Sequence, residues 1–215
     1  MIIKAKQLPI PILKVFGYIL SFIIKRRFNK LVINDIAIKE NHSYLIMSNH
    51  FSFWDGFLAA YLCLKCKRKD QQVTVFYIMV LKKQMEKNPW LKYFGCFSID
   101  PRKTTVAESL NYAAELLSKP GNVLILYPQG NLESNHVRDI ILQDGINHII
   151  PKITGSCQLI WSSNFIEFFE SLKPSVFFHM MDAGTNHNYD FDKLTIEINQ
   201  HHKKSMKKQF RFTED

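Results

Sequence analysis

Three short stretches of this sequence combine residue types that can do chemistry. The first is Asn49-His50-Phe51-Ser52-Phe53-Trp54-Asp55. A histidine titrates near neutrality, so it can take a proton from a hydroxyl at working pH. A carboxylate beside it can fix its tautomer and stabilise the imidazolium that forms. Asp55 can reach His50 if the chain turns after a strand and enters a helix. Ser52 then caps that helix and Asp55 takes its third position. The second stretch is Gly95-Cys96-Phe97-Ser98-Ile99-Asp100-Pro101-Arg102-Lys103. It reads as a strand-like run ending in a proline turn with two cations. Arg102 offers a rigid fork of donors for phosphate oxygens, and Lys103 adds a second positive charge. The third is Tyr127-Pro128-Gln129-Gly130-Asn131-Leu132-Glu133-Ser134. Pro128 and Gly130 set a tight turn that can present backbone N–H groups and the Gln129 side chain. It follows an apolar run, at the kind of strand end where open α/β sheets place ligands.

Each stretch also has a bland reading: a structural histidine, an exposed loop, an ordinary strand-ending turn. The His–Asp spacing alone carries little. Eight His and ten Asp in 215 residues give roughly 0.4 such pairs by chance. A second pair does occur, His187 and Asp192, in the polar stretch Asn186-His187-Asn188-Tyr189-Asp190-Phe191-Asp192. With no apolar helix after it, that stretch reads as a loop of turn-forming residues.

The surrounding elements must hold these stretches in place. Residues 43–48 (SYLIMS) read as a short buried strand ending just before His50. Residues 53–64 have helical spacing, with Phe53, Phe57, Ala60 and Leu64 on one face. Residues 73–80 read as a strand rich in β-branched and aromatic residues. Thr104 and Thr105 can cap a helix through about Leu117, stopped by Pro120-Gly121. Residues 123–127 are a further buried strand, and 157–162 and 175–180 are weaker candidates. Alternating strands and helices predict an α/β domain. Wholly apolar strands predict a mostly parallel central sheet flanked by helices.

The chain divides by composition into an N-terminal helix over 1–30, a domain over 31–198 and a basic tail over 199–215. Residues 8–24 are apolar but broken by Lys14 and two prolines, and Lys25, Arg26 and Arg27 follow. A spanning helix needs about 20 mostly apolar residues, and basic residues stand where a signal peptide would be cleaved. An interfacial helix, apolar body in lipid and basic flank on headgroups, fits the run, as does a helix packed on the core. The tail reads as a solvated helix or a frayed end. The formal net charge of +9 suits nucleic acid, anionic lipid or a phosphorylated substrate. Nucleic acid is disfavoured, because the aromatic residues lie in apolar runs and are not interleaved with basic ones. Cys63 and Cys66 form a lone CxxC with no second pair at zinc-binding spacing, so they read as small apolar helix residues.

Taken in order, the three stretches resemble the lysophospholipid and glycerol-phosphate acyltransferase family. The first motif of that family is matched by Asn49, His50, Ser52 and Asp55; the second by Gly95, Ile99, Asp100 and Arg102, with Pro101 inserted; the third by Tyr127, Pro128, Gln129, Gly130 and, one residue late, Ser134. Asp144-Gly145 resembles a later Lys-Gly step. The resemblance covers residues 43–146 and departs at Gln129, where the family usually has Glu. A glutamine accepts and donates but brings no charge.

The resemblance implies transfer of a fatty acyl group, from acyl-CoA or acyl carrier protein, to a hydroxyl of a lysophospholipid or related lipid. His50 is then the general base and Asp55 orients it. Arg102, Lys103, Ser52, Gln129 and Gly130 are expected around the substrates, and neither metal nor cofactor is implied. A thioester donor implies the cytoplasmic face of a membrane, with peripheral or monotopic attachment. Gln129 leaves a second acceptor class open, a glycolipid or amino-acid lipid. A basic membrane-surface protein without catalysis is the reading outside that family.

Overall fold

The computed structural model describes residues 1–34, 36–65, 75–101 and 104–209. An 18-residue helix, α1 (Ile10–Arg27), comes first, and a short strand, β1 (Leu31–Asn34), follows it. Then come β2 (Ser43–Ser48), α2 (Asp55–Lys65), β3 (Val75–Leu81), the short α3 (Lys82–Lys87) and β4 (Cys96–Ile99). The second half holds α4 (Val106–Leu117), β5 (Asn122–Leu126), α5 (Gly145–Ile149), β6 (Cys157–Glu167), β7 (Ser175–Thr185) and α6 (Phe191–Lys207).

The strands make one seven-stranded sheet in the order β1-β7-β6-β2-β5-β3-β4. Its pairs are parallel except β6 with β7. The α/β class, the mostly parallel sheet and the flanking helices are therefore as the sequence predicts. β2 and β5 occupy the centre, and every residue of both is buried. Such strands need no alternation of polar and apolar residues, because helices cover both faces. On one face Leu45, Met47, Leu124 and Leu126 pack with α4, α5 and α6 through Leu110, Leu117, Ile149, Leu194 and Ile198. On the other, Tyr44, Ile46, Val123 and Ile125 pack with α1 and α2 through Ile24, Leu58 and Leu62.

The N-terminal residues run along the β4 edge. Ile3 exchanges backbone and hydroxyl hydrogen bonds with Ser98, and Lys6 and Leu8 donate to the Lys92 and Tyr93 carbonyls. An edge strand is thereby covered. α1 is docked through the buried Ile24 and Phe28, while Val15, Tyr18, Ile19 and Phe22 stand exposed. The helix is therefore packed on the core along one side, as one of the two readings of this run expects, and has apolar residues exposed on the opposite side. Among the described residues, no helix is long and apolar enough to cross a membrane.

Several local expectations need correcting. Thr105 takes the N-cap position of α4, but neither its conformation nor its side chain caps the helix. The helix after His50 starts at Asp55, two residues late, because Ser52 to Trp54 form the turn that enters it. β6 and β7 are 11 residues each, far longer than the short candidates within them. Residues 73–74 of the strand expected over 73–80, and Cys66 of the CxxC, lie outside the described residues.

The largest correction is α6. An amphipathic helix does follow the His187 stretch, capped by Asp190, whose carboxylate accepts from the Lys193 N–H. It runs through the expected boundary at 199. Its inward positions include Leu194, Ile198, His202 and Ser205, and the polar members hid the apolar period. His202 is 1% exposed and spans two elements, with Nε2 at 2.9 Å from the Val137 carbonyl and Nδ1 at 3.0 Å from Ser163 Oγ. His201 Nε2 lies 2.9 Å from the His179 carbonyl.

Burial, and then the neighbouring cations of Lys208 and His201, push the His179 pKa down from 6.5 to about 4. His201 and His202 are also lowered, chiefly by burial. The unfolded chain takes these protons near the ordinary histidine value, whereas the folded chain resists them, so acid favours unfolding. Melting temperature is therefore expected to fall as pH drops from 6.5 toward 4, and His179→Gln should flatten that slope relative to the parent. Equal slopes for parent and variant, measured by circular dichroism, would show that His179 is not a source of the acid sensitivity.

Candidate active site

The C-terminal ends of β2 and β5 lie side by side, with Met47 opposite Leu126. The stretches at 49–55 and 127–134 therefore leave the sheet at one place. β2 hands directly to Asn49, which is 5% exposed. Its side-chain amide donates to the Asn164 carbonyl at 2.9 Å and its oxygen accepts the Asn164 N–H at 2.7 Å. A side chain thus extends the β2–β6 ladder by one step and fixes where His50 emerges.

The chain then folds back on Asp55, which is 2% exposed. Asp55 Oδ2 lies 2.7 Å from His50 Nδ1 and accepts the Phe51 and Ser52 N–H groups at 2.7 and 2.9 Å. Asp55 Oδ1 accepts from Ser52 Oγ at 3.0 Å. Ser52 Oγ in turn accepts the Trp54 N–H at 3.0 Å. Because Asp55 Oδ2 can only accept, Nδ1 carries the imidazole proton and Nε2 keeps its lone pair. His50 has 27% of its side chain exposed, against 1% for Asp55. The pair is thus a partly exposed imidazole with a buried carboxylate behind it.

Tyr127 supplies a flat wall: its ring stacks on His50 with centroids 4.4 Å apart and planes at 23°. The Tyr127-Pro128-Gln129-Gly130 turn is closed by the Gly130 N–H donating to the Tyr127 carbonyl at 3.1 Å. Gly130 has φ +74°, a left-handed conformation that favours glycine. The turn buries Gln129 to 2% exposure. Gln129 Oε1 accepts the His50 N–H at 2.8 Å, and Nε2 donates to the Glu133 carboxylate. The Glu133 N–H closes the loop by donating to the His50 carbonyl at 2.8 Å. Expected to line an acceptor pocket, Gln129 instead has both ends of its amide turned onto the protein. A carboxylate is still present, four residues later, on the half-buried Glu133.

The structure brings together His50, Ser52, Asp55, Gln129 and Gly130. Arg102 and Lys103 lie outside the described residues. His187 has its Nε2 3.5 Å from Ser156 Oγ. Sequence reasoning missed Tyr127 as a ring partner, Glu133 as a hydrogen-bond partner and Asn164 as an anchor. The first two stand within the stretch already singled out, but nothing in the spacing marks them. Asn164 comes from a distant strand and leaves no local signal.

The acyltransferase family model matches residues 29–182, a range that contains the whole of this arrangement. A protein of Streptococcus pneumoniae described as 1-acyl-sn-glycerol-3-phosphate acyltransferase is 27% identical over 103 residues, 46% of this chain and 35% of its own length. That match therefore spans about a third of the relative. The crystal structure of PlsC, a 1-acyl-sn-glycerophosphate acyltransferase of Thermotoga maritima, superposes with a TM-score of 0.61 at 13% identity. It covers 94% of this chain and 81% of that one, and it shows a shared fold.

Two stability measurements test this geometry. The Tyr127 hydroxyl is buried without a hydrogen-bond partner among the described residues. Burial, followed by the nearby Asp55, raises its pKa well above the ordinary tyrosine value. Tyr127→Phe keeps the ring stack and is expected to raise stability by about 1 kcal/mol in urea denaturation. A loss of stability would mean the hydroxyl has a partner. Gln129→Glu sets a second carboxylate against Glu133 and removes the donated bond, which should cost about 1–3 kcal/mol. Adding Glu133→Gln should recover most of that loss, and additive destabilisation in the double variant would break the proposed pairing.

Proposed function

Because this chain belongs to the acyltransferase family, we propose that it transfers a fatty acyl group from a thioester donor to a hydroxyl of a lysophospholipid or related lipid. The observation that carries this reading is the 2.7 Å His50–Asp55 contact, which engages Nδ1 of a partly exposed imidazole. His50 Nε2 takes the proton of the acceptor hydroxyl as its oxygen attacks the thioester carbonyl. The C–S bond then breaks, and the leaving sulfur takes the proton from the imidazolium. His50 ends neutral, so the cycle needs no covalent acyl-enzyme. Asp55 is a positioning residue that also favours the transient positive charge. Gln129 holds the His50 backbone, and Gly130 permits the turn that delivers Gln129. Arg102 and Lys103 supply positive charge for an anionic part of a substrate. The donor is acyl-CoA or acyl carrier protein.

The exposed apolar face of α1, with Lys25, Arg26 and Arg27 in its last turn, supports attachment to the surface of an anionic bilayer. The thioester donor then sets the cytoplasmic face. One observation favours a second acceptor class. Glu133 is a half-buried carboxylate that accepts from the Gln129 amide, on the residue whose N–H donates to the His50 carbonyl, and its charge there disfavours a phosphate and suits the hydroxyls of a glycolipid or amino-acid lipid.

Incubation with labelled acyl donor and a panel of lysophosphatidic acid, other lyso-lipids and glycolipids separates these acceptors by product. General-base catalysis contributes typically ~10²–10⁴-fold. His50→Ala is expected to lose at least about 10²-fold in kcat while melting like the parent. Undiminished turnover in purified His50→Ala would end this mechanism.

A further inference from the structure

We infer that the tip of the β6–β7 hairpin is a second membrane-contact element, which inserts into an anionic bilayer beside His50. This inference rests on the bilayer reading of α1 given above and extends it to a part of the fold 140 residues away in sequence. Phe168, Phe169 and Leu172 lie in the seven-residue connection between β6 and β7, and they are 57%, 39% and 100% exposed. Single exposed apolar residues are ordinary on protein surfaces, but such a group on a projecting tip is not.

The topology makes the tip project. β6 pairs with β2 as far as Ser162, then continues five residues to Glu167 paired with β7. Five residues of strand carry it roughly 16 Å beyond the end of β2. His50 leaves the sheet at that same end of β2, and Asn164 of the projecting segment holds Asn49. The tip thus stands at the rim of the site.

Charge at this rim identifies the partner. The Asn29 N–H donates to the Pro174 carbonyl at 2.8 Å, which sets the end of α1 against the base of the hairpin. That end carries the exposed Lys25, Arg26 and Arg27. α6 reaches the same edge from the other face of the sheet, with Gln209 Nε2 2.7 Å from His179 Nε2. Lys204, Lys207 and Lys208 are exposed there. Two helices therefore bring their cationic ends to either side of an apolar tip that itself carries one Glu and one Lys. Aromatic and leucine side chains between clusters of Lys and Arg match the acyl and headgroup layers of an anionic leaflet. Contact through α1 alone leaves the protein free to roll about the helix axis. A second contact at the hairpin removes that freedom and turns the mouth of the site toward lipid hydroxyls.

The test is co-sedimentation of the full chain with phosphatidylcholine vesicles, with and without phosphatidylglycerol. The parent is expected to bind the anionic vesicles, and Phe168→Ser/Phe169→Ser/Leu172→Ser to bind them at least tenfold more weakly. If the triple variant binds as the parent does, the hairpin inference is overturned while the reading of α1 stands. If the parent binds neither vesicle, both readings fail. A triple variant that keeps vesicle binding but loses turnover assigns the tip to another partner and overturns the inference. Should the triple variant not fold, Leu172→Trp serves, since a fully exposed side chain has no packing to disturb. Its emission should shift to the blue on anionic vesicles and be quenched by brominated acyl chains. A vesicle-bound Leu172→Trp protein with neither change contradicts insertion.

Discussion

The Asp55 carboxylate is the constraint on which the site depends. It accepts from His50 Nδ1, two successive backbone N–H groups and Ser52 Oγ. One buried side chain therefore folds the turn, starts α2 and fixes the imidazole tautomer. These tasks are not separable, since the backbone donors that hold the turn also hold the carboxylate in place for the ring. An amide at this position could accept with one end only. Its other end would present N–H groups to donors and disrupt several bonds together.

A second constraint comes from the neighbouring strand. His50 is gripped from behind by Gln129 and Glu133, so the segments leaving β2 and β5 are tied by two hydrogen bonds, and a third, from Gln129 to Glu133, braces the pair that makes them. A charged residue at 129 could accept from His50 but could not also donate to Glu133. The amide at 129 and the carboxylate at 133 are thus chemically matched, and the departure noted at Gln129 is one half of a pair. That pairing became visible only when the turn was seen to bury 129 and bring 133 back to the His50 carbonyl.

The legible parts of the fold were those whose local pattern matches their environment. The strands near 43–48 and 123–126 are legible because a run buried on both faces is mostly apolar, as Tyr44, Leu45, Ile46 and Met47 are. His50 and Asp55 were legible because their contact is local. β6 was read short because Ser162, Ser163 and Asn164 interrupt its apolar run, although all three are buried. α6 shows no clear apolar period in the sequence because His202 and Ser205 stand at inward positions. In each element a polar residue also has a partner far away in sequence, Asn164 with Asn49 and Ser163 with His202, which no local window contains.

Those partners explain why polar residues are tolerated there. Alternation along β6 sends Ser162 and Asn164 one way and Ser163 the other. Ser162 Oγ donates to Asn164 Oδ1 at 2.6 Å, while the Asn164 backbone clamps Asn49. On the opposite face Trp161 Nε1 donates to Ser163 Oγ at 2.8 Å, and Ser163 meets His202, which reaches the Val137 carbonyl. A neutral His202 satisfies this chain: Nε2–H donates to the carbonyl and Nδ1 accepts the Ser163 hydroxyl. A charged one would donate at Nδ1 and turn the Ser163 hydroxyl proton out of the chain. The extended end of β6 thus carries two networks back to back, one positioning the residue before His50 and one anchoring α6 and the loop after Gly130. Satisfied polar networks of this kind specify a single arrangement where an apolar core would permit sliding. The length of β6 beyond β2 is therefore what lets one strand brace the site, hold α6 and carry the exposed tip at its end.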